Sequence, residues 1–299
     1  MLFFWKKRHA FSRQIMGMNR RNIALIYPHN KRRDYTLADD KITTKTILDQ
    51  HHINCADTYV IIEFIGNIEQ AWQAIQAYQK IAIKPANGSG GGGIMILKKN
   101  EEGQWCKGGK PIAEGQVFKH LADIIMGVYS FGSKDRVLIE YCIDPHPFFH
   151  EIYPVGVPDI RIILLKQQPV QAMLRLPTHR SGGKANLHQG GLGVGVHLQS
   201  GLLKQAFDGK NYHDVHPDTG CMIRGKQMPQ WEETVELAIQ TAQAFPLQYL
   251  GIDIVMDQEL GPMVMEINVR PGLGIQLANQ EGLQAAVQKL NTTQPTTNI

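Results

Sequence analysis

Apolar positions along the chain follow two rhythms in turn. A short apolar stretch, Asn22–Tyr27 (NIALIY), comes first, and LADDKITTKTILDQHH then reads as a helix with Asp39 or Asp40 as N-cap and Ile42 and Leu48 on its buried stripe. TYVIIEF (58–64) is strand-like, and NIEQAWQAIQAYQK (67–80) carries Ile68, Trp72, Ile75 and Tyr78 at helical spacing. Two short apolar runs, IAIKP and IMILK, flank a glycine run and predict a pair of strands. VFKHLADIIMGVYS is amphipathic at helical period, and RVLIEYCI has the continuous apolarity of a buried strand. From Asp159 the pattern changes to closely spaced segments of antiparallel style, IRIILLK, VQAMLRL and GVGVHL, with GGKANLHQGG as a glycine-rich connector. WEETVELAIQTAQAF (231–245) predicts a helix, YLGIDIVMDQELGPMVMEINVRPGL a strand pair, and residues 279–290 a last helix before a polar tail. No internal repeat is present.

Composition narrows the class. A chain of 299 residues with 43% hydrophobic and 19% charged positions can bury two lobes, as an ordinary soluble protein does. Its four cysteines stand far apart with no C-x-x-C pair, so neither a disulfide framework nor a zinc site is indicated, and a reducing cytoplasm fits. The apolar run in MLFFWKKRHAF is too short for a secretory core, and no stretch approaches the roughly 18 apolar residues that a membrane span needs. Nine of the 31 Lys and Arg precede Asp34 with no acid among them, so the remaining 22 face 27 acids: a basic arm ahead of a mildly acidic body. Such an arm suits an acidic protein or an anionic membrane face, or else is simply solvated. Nucleic acid as the main partner is disfavoured, because the basic run lacks interleaved aromatics.

The segment IKPANGSGGGGIMIL places Gly88, Ser89, Gly90, Gly91, Gly92 and Gly93 between two strand-like runs. Its glycines satisfy G-x-G-x-x-G, yet a dinucleotide fingerprint requires a helix to begin there, and a strand follows instead. A Walker A loop fails because no Lys-Ser or Lys-Thr follows Gly93. The apolar runs hard against both ends argue against a free linker and for a hairpin whose bare N–H groups cover nucleotide phosphates, with Lys84 beneath as a fixed positive charge.

In GIDIVMDQELGPMVMEIN, a two-residue connection at Glu259-Leu260 sets Asp253 directly across from Glu266, with Asn268 on the same face. Carboxylates that interrupt apolar strands need a compensating partner. Hard oxygen donors with no histidine or thiol point to Mg²⁺, as one or two ions sharing a shell with phosphates. The alternative is a structural ion pair with Arg270 or a lysine.

Taken in order, DDKITTK, IAIKPANGSGGGGIMIL, LIEYCI, PDIRIILL, GKANLHQGG and GIDIVMDQELGPMVMEINVRPGL resemble ATP-grasp enzymes over about residues 18–283. Among these, the alpha-L-glutamate ligase-like proteins are most similar. The resemblance implies an α+β fold in which two lobes of mainly antiparallel sheets clasp the nucleotide. Residues 1–38 would be a basic arm and shortened pre-grasp segment. The ATP-grasp domain would cover 39–290, with a first lobe at 58–138, a hinge at 139–142 and a second lobe at 159–290, and 291–299 would be a disordered tail.

It further implies that Lys41 and Lys84 contact ATP phosphates and that Glu140, Tyr141 and Cys142 meet adenine. Asp159 would hold the ribose, and Asp253, Glu266 and Asn268 would bind magnesium. Arg161, Arg175, Asn186, His188 and Arg270 would line the phosphoryl and substrate side. Two departures concern substrate: fewer than 40 residues precede DDK, and DPHPFFHEIYPVGV has no counterpart in a plain glutamate ligase.

The expected chemistry is ATP-dependent joining of a carboxylate to an amine through an acyl phosphate, with an amino acid, glutamate among the candidates, and a peptide, protein or small-molecule amine as substrates. Arg270 would clamp the acyl phosphate, and His188 would deprotonate the amine or serve as a loop spacer. The alternatives are a non-catalytic nucleotide-binding module docked through residues 1–33, and a phosphotransferase using the same groups.

Overall fold

The structure is a computed structural model that describes residues 14–88 and 91–293. The chain divides into two compact units. A smaller one comprises Asp40–Ile42 and Cys55–Ile143, and a larger one comprises the described part of Met1–Asp39, Thr43–Asn54 and the rest from Asp144.

A helix, α1 (Lys41–Gln50), begins directly after Asp40, one of the two expected caps. The smaller unit then runs β1 (Thr58–Ile62), α2 (Ile68–Ala74), β2 (Lys80–Pro85), β3 (Met95–Lys99), β4 (Trp105–Lys107), β5 (Lys110–Pro111), α3 (Glu114–Ile125) and β6 (Val137–Tyr141). All its strand pairs are antiparallel, in the order β1-β6-β2-β3-β4-β5. Strand alternation separates the two faces. Ile81, Ile83, Met95, Leu97, Val137 and Ile139 project to one side, where Ile68, Trp72 and Ile75 from the α2 segment and Val117, Leu121 and Ile124 from α3 cover them. The spacing of those α3 residues is that of a single buried stripe. Each fully buried Ile or Leu contributes roughly 1.5–3 kcal/mol. Lys84 and Glu140 alternate with this set and so occupy the opposite face.

The larger unit adds α4 (Pro147–Ile152), β7 (Asp159–Leu165), β8 (Gln168–Leu176), β9 (Leu192–Val196), β10 (Leu203–Phe207), β11 (Tyr212–His213), α5 (Trp231–Gln243), β12 (Tyr249–Asp257), β13 (Gly261–Asn268), α6 (Ile275–Asn279) and α7 (Leu283–Thr293). Among the described residues its sheet has seven antiparallel strands in the order β11-β10-β9-β8-β7-β12-β13. Helix α4 lies within the segment DPHPFFHEIYPVGV.

Three local results differ from the sequence reading. Much of the segment expected to be an arm is folded: Met16, Leu25 and Ile26 are buried, and Asn30 brackets Tyr249 by donating to its carbonyl (2.7 Å) and accepting from its N–H (2.9 Å). Arg21, counted among the basic run, is buried and donates to the Pro271 carbonyl at 2.8 Å. Residues 1–13, which hold Lys6, Lys7, Arg8 and Arg13, lie outside the described residues.

The β12–β13 connection has three residues, not two, with Asp257 opposite Gly261; the Asp257 carboxylate ties the turn by accepting from the N–H groups of Glu259 and Leu260. A bulge at Met265 restores the offset, so Asp253 still faces Glu266. Finally, α7 runs to Thr293, three residues into the expected tail, and 294–299 lie outside the described residues. Among the described residues no helix is long and apolar enough to cross a membrane.

Candidate functional site

In the larger unit, strand register alone draws the site together. Asp159 faces Arg175 across β7–β8, Arg161 faces Asp253 across β7–β12, and Asp253 faces Glu266 across β12–β13. Asn268 shares the Glu266 face at a separation of two residues. The result is a polar stripe over four adjacent strands, on the side opposite Ile160, Ile162, Leu174, Ile252 and Ile254, all 0% exposed.

Asp253, itself 0% exposed, is held by guanidinium groups on both oxygens. Arg161 donates Nε to Oδ1 at 2.7 Å and an Nη2 hydrogen to Oδ2 at 2.6 Å, and Arg175 Nη2 reaches Oδ2 at 2.7 Å. Asn268 adds an Nδ2 donor at 3.2 Å. Arg175 also forks onto Asp159, through Nε to Oδ1 and through Nη2 to Oδ2 at 2.7 Å. These are bidentate, charge-assisted bonds of the strongest protein type.

Burial raises a carboxyl pKa, and for Asp253 the two arginines overcome it and hold the group below the ordinary carboxylate range. Asp159 has Arg175 as its bonded cation and Asp253 as a nearby like charge, and burial pushes it up to about 6. For Arg175, burial disfavours the charged form, but the pull of Asp159 and Asp253 prevails and its pKa is raised.

The expectation that Asp253 needs a cation is met within the chain, by Arg161 and Arg175 and not by Arg270 or a lysine. The donor set still fits Mg²⁺. Oδ1 of Asp253 takes only one N–H donor, and with the Glu266 carboxylate and the Asn268 amide oxygen it completes three hard ligands. Among the described residues no three His, Cys, Asp or Glu side chains gather as a ready-made metal cage, so phosphate and water oxygens would fill the remaining positions.

Other expected residues lie outside this network. Arg270 is exposed and stacks over the Tyr35 ring at 5.1 Å. Asn186 caps the turn Leu187–Gln189, its side chain accepting from the His188 N–H at 3.0 Å, and His188 itself is exposed. Asp159, expected at the ribose, is 4% exposed and has both oxygens on Arg175, so a ribose would have to compete with a buried guanidinium.

In the smaller unit, Lys84 pairs with Glu140, which is 2% exposed. Lys41 donates to the carbonyls of Gly88 (2.7 Å) and Ala86 (3.4 Å), tying it to the entry of the glycine loop. The N–H of Tyr141 is used by the Asp57 carbonyl at 2.8 Å, so an adenine edge at Tyr141–Cys142 would be read by other backbone groups. Ser89 and Gly90 lie outside the described residues, whereas Gly88, Gly91 and Gly92 connect β2 to β3 as expected.

The sequence reading missed the anchors of this loop. Asp135, 4% exposed, accepts from the Asn87 backbone N–H at 3.1 Å and from its Nδ2 at 2.9 Å, and also from Ser130 Oγ. At the other end His120 Nε2 meets the Gly93 carbonyl at 2.9 Å and Tyr129 Oη lies 3.3 Å from Nδ1. A carbonyl only accepts, so Nε2 carries the proton and Nδ1 accepts from Tyr129. Burial lowers the His120 pKa, which keeps that neutral tautomer. Gly93 has φ +77°, and a Cβ there would lie 2.7 Å from the Tyr129 ring. One signal for His120 was legible: it sits three residues after Val117 and four before Ile124, beside the buried stripe of α3.

Against known proteins, the model of a family described as sugar-transfer associated ATP-grasp matches residues 20–292. No curated protein matches the chain. The chain is similar to the solved ATP-grasp ligase PsnB complexed with a minimal precursor, at 12% identity and a TM-score of 0.47, covering 89% of this chain and 64% of PsnB. It is similar also to D-alanine–D-alanine ligase from Bacillus anthracis, at 13% identity and a TM-score of 0.48, covering 89% of this chain and 69% of the ligase. For D-cycloserine synthetase DcsG the values are 11%, 0.48, 86% and 71%.

Proposed function

Because the chain belongs to the sugar-transfer associated ATP-grasp family, we propose that it is an ATP- and Mg²⁺-dependent ligase that activates a carboxylate as an acyl phosphate and joins it to an amine. Its two antiparallel-sheet α+β units are those of the ATP-grasp fold. The observation that carries the proposal is the buried Asp159–Arg175–Asp253–Arg161 network beside Glu266 and Asn268. Such an array of guanidinium and carboxylate groups, held fixed by its own bidentate bonds, is a preorganised electrostatic environment for developing charge, and preorganised electrostatics is the largest single source of catalysis in many enzymes.

A carboxylate in water is a poor electrophile. In the proposed reaction one of its oxygens attacks the γ-phosphorus of ATP, the bond from that phosphorus to the β,γ-bridging oxygen breaks, and ADP leaves. An amine then attacks the acyl carbon, loses a proton, and expels phosphate as the amide forms. Arg161 and Arg175 stabilise the negative charge on the transferring phosphoryl group. Lys84 and Lys41 exchange Glu140 and loop carbonyls for phosphate oxygens. Asp253, Glu266 and Asn268 would hold Mg²⁺, whose contribution when bound is neutralisation of phosphate charge. Arg270, exposed beside Tyr35, is suited to the incoming carboxylate, and Asn186 shapes the loop that carries His188.

The narrower resemblance to glutamate ligases favours glutamate as one reactant, and the association of the family with sugar transfer favours a sugar-linked acceptor over a protein. Mass spectrometry of products formed with ATP, Mg²⁺ and a panel of amino acids, peptides and amino sugars tests the reading. Phosphate released in step with a new amide supports it; a stable phosphorylated product, or nucleotide bound with no turnover across the panel, overturns it.

A further inference from the structure

The helix-covered side of the smaller unit holds a cavity of about 400 Å³, opposite the face that presents Lys84 and Glu140. Met95 and Ile112 supply apolar wall, and Lys107, Lys110, Lys119 and His120 line it with charge and polarity. Lys107 and Lys110 are direct partners across the β4–β5 hairpin, joined by Gly108 and Gly109 with φ of +56° and +79°. Directly paired residues project from the same face with Cβ atoms about 4.5–5.5 Å apart, and like charges there are destabilising. Asp123, the acid in the lining, is taken by Lys119 at 2.7 Å. Among the described residues neither Lys107 nor Lys110 has a carboxylate partner. A facing lysine pair left without an acid, at the mouth of a partly apolar cavity, is an arrangement that an anionic ligand would stabilise. The volume falls in the range of small-molecule sites, roughly 300–1,000 Å³.

We propose that this cavity is a second binding site, separate from the ligase site, for a small organic molecule bearing a phosphate monoester. The phosphate bridges Lys107 and Lys110, two point charges suited to a dianion, and the organic body lies against Met95 and Ile112. An occupant also touches His120, whose Nε2 holds the Gly93 carbonyl at the end of the glycine loop.

Phenyl phosphate is the probe, with phenol and inorganic phosphate as separate arms, titrated into the full chain by calorimetry while the His120 imidazole is followed by NMR. Saturable phenyl phosphate binding that shifts the His120 resonances, persists in the stability-restored Lys84→Met/Glu140→Gln protein and weakens at least about tenfold in the doubly substituted Lys107→Ser/Lys110→Ser protein is the expected result. Both lysines are exposed on a hairpin, so that protein keeps its fold. Phenol without binding supports the charge requirement. Equal affinity for inorganic phosphate, unchanged affinity in the Lys107→Ser/Lys110→Ser protein, or loss of binding in Lys84→Met/Glu140→Gln overturns the proposal.

Discussion

Arg161 grips both carboxylate oxygens of Asp253, at 2.7 and 2.6 Å, from the neighbouring strand in exact cross-strand register. Asp253 is therefore a structural counter-charge as well as a metal-ligand candidate. Asp253→Ala would leave Arg161 and Arg175 facing each other without it, and removing one partner of a buried pair typically costs about 3–5 kcal/mol. Urea unfolding is expected to show a loss of that size together with loss of ATP turnover. A stability change under about 1 kcal/mol would mean that water or other groups already compensate the arginines.

Glu266 separates the two roles. It lies opposite Asp253 on β13 and is half-buried, whereas Asp253 is fully buried. Glu266→Ala is expected to abolish ATP turnover while leaving the protein folded, as read by circular dichroism. Turnover retained at the wild-type rate would remove Glu266 from the magnesium set.

The facing of Asp253 and Glu266 was legible in the sequence because period-2 alternation around a turn fixes which residues meet, and it survived an error in the turn because the Met265 bulge offsets the extra connecting position. Lys84 was legible as a charge beside the glycine loop for a similar local reason. What alternation cannot reveal is which distant strands are neighbours. Arg161 and Asp253 are 92 positions apart, and only the β7–β12 pairing makes them partners, so the sequence offers Mg²⁺, or else Arg270 or a lysine, as the compensating charge. The loop anchors Asp135 and His120 were hidden for the same reason, since each acts on residues 27 or more positions away.

Lys84 neutralises Glu140 in this structure, and the same ammonium is the proposed phosphate contact. Lys84→Met is expected to weaken ATP binding at least about tenfold by titration calorimetry, and also to destabilise the fold by removing the ion pair to a carboxylate that is 2% exposed. Adding Glu140→Gln should restore stability without restoring affinity. Recovery of both would show that Lys84 acts only as the partner of Glu140.

Asp159 offers a test through pH. Its folded pKa is pushed up to about 6 by burial, above the ordinary value of 3.8, so between those values the folded chain holds a proton that the unfolded chain has released. Stability contributed by this group is thus full below the ordinary carboxylate pKa and is lost as pH rises through about 6. Asp253 has the opposite sign: its pKa is depressed, and its contribution is lost as pH falls below the ordinary carboxylate range. Because the two groups share Arg175, they titrate as a coupled pair. Carboxyl-carbon NMR is expected to show one apparent midpoint near 6 and another below the ordinary range. Asp159→Asn should remove the upper midpoint and flatten the stability slope between pH 4 and 6. Two ordinary midpoints in the wild-type chain would mean that the Arg175 fork does not persist in solution, and the proposed phosphoryl-binding role of Arg175 would lose its structural basis.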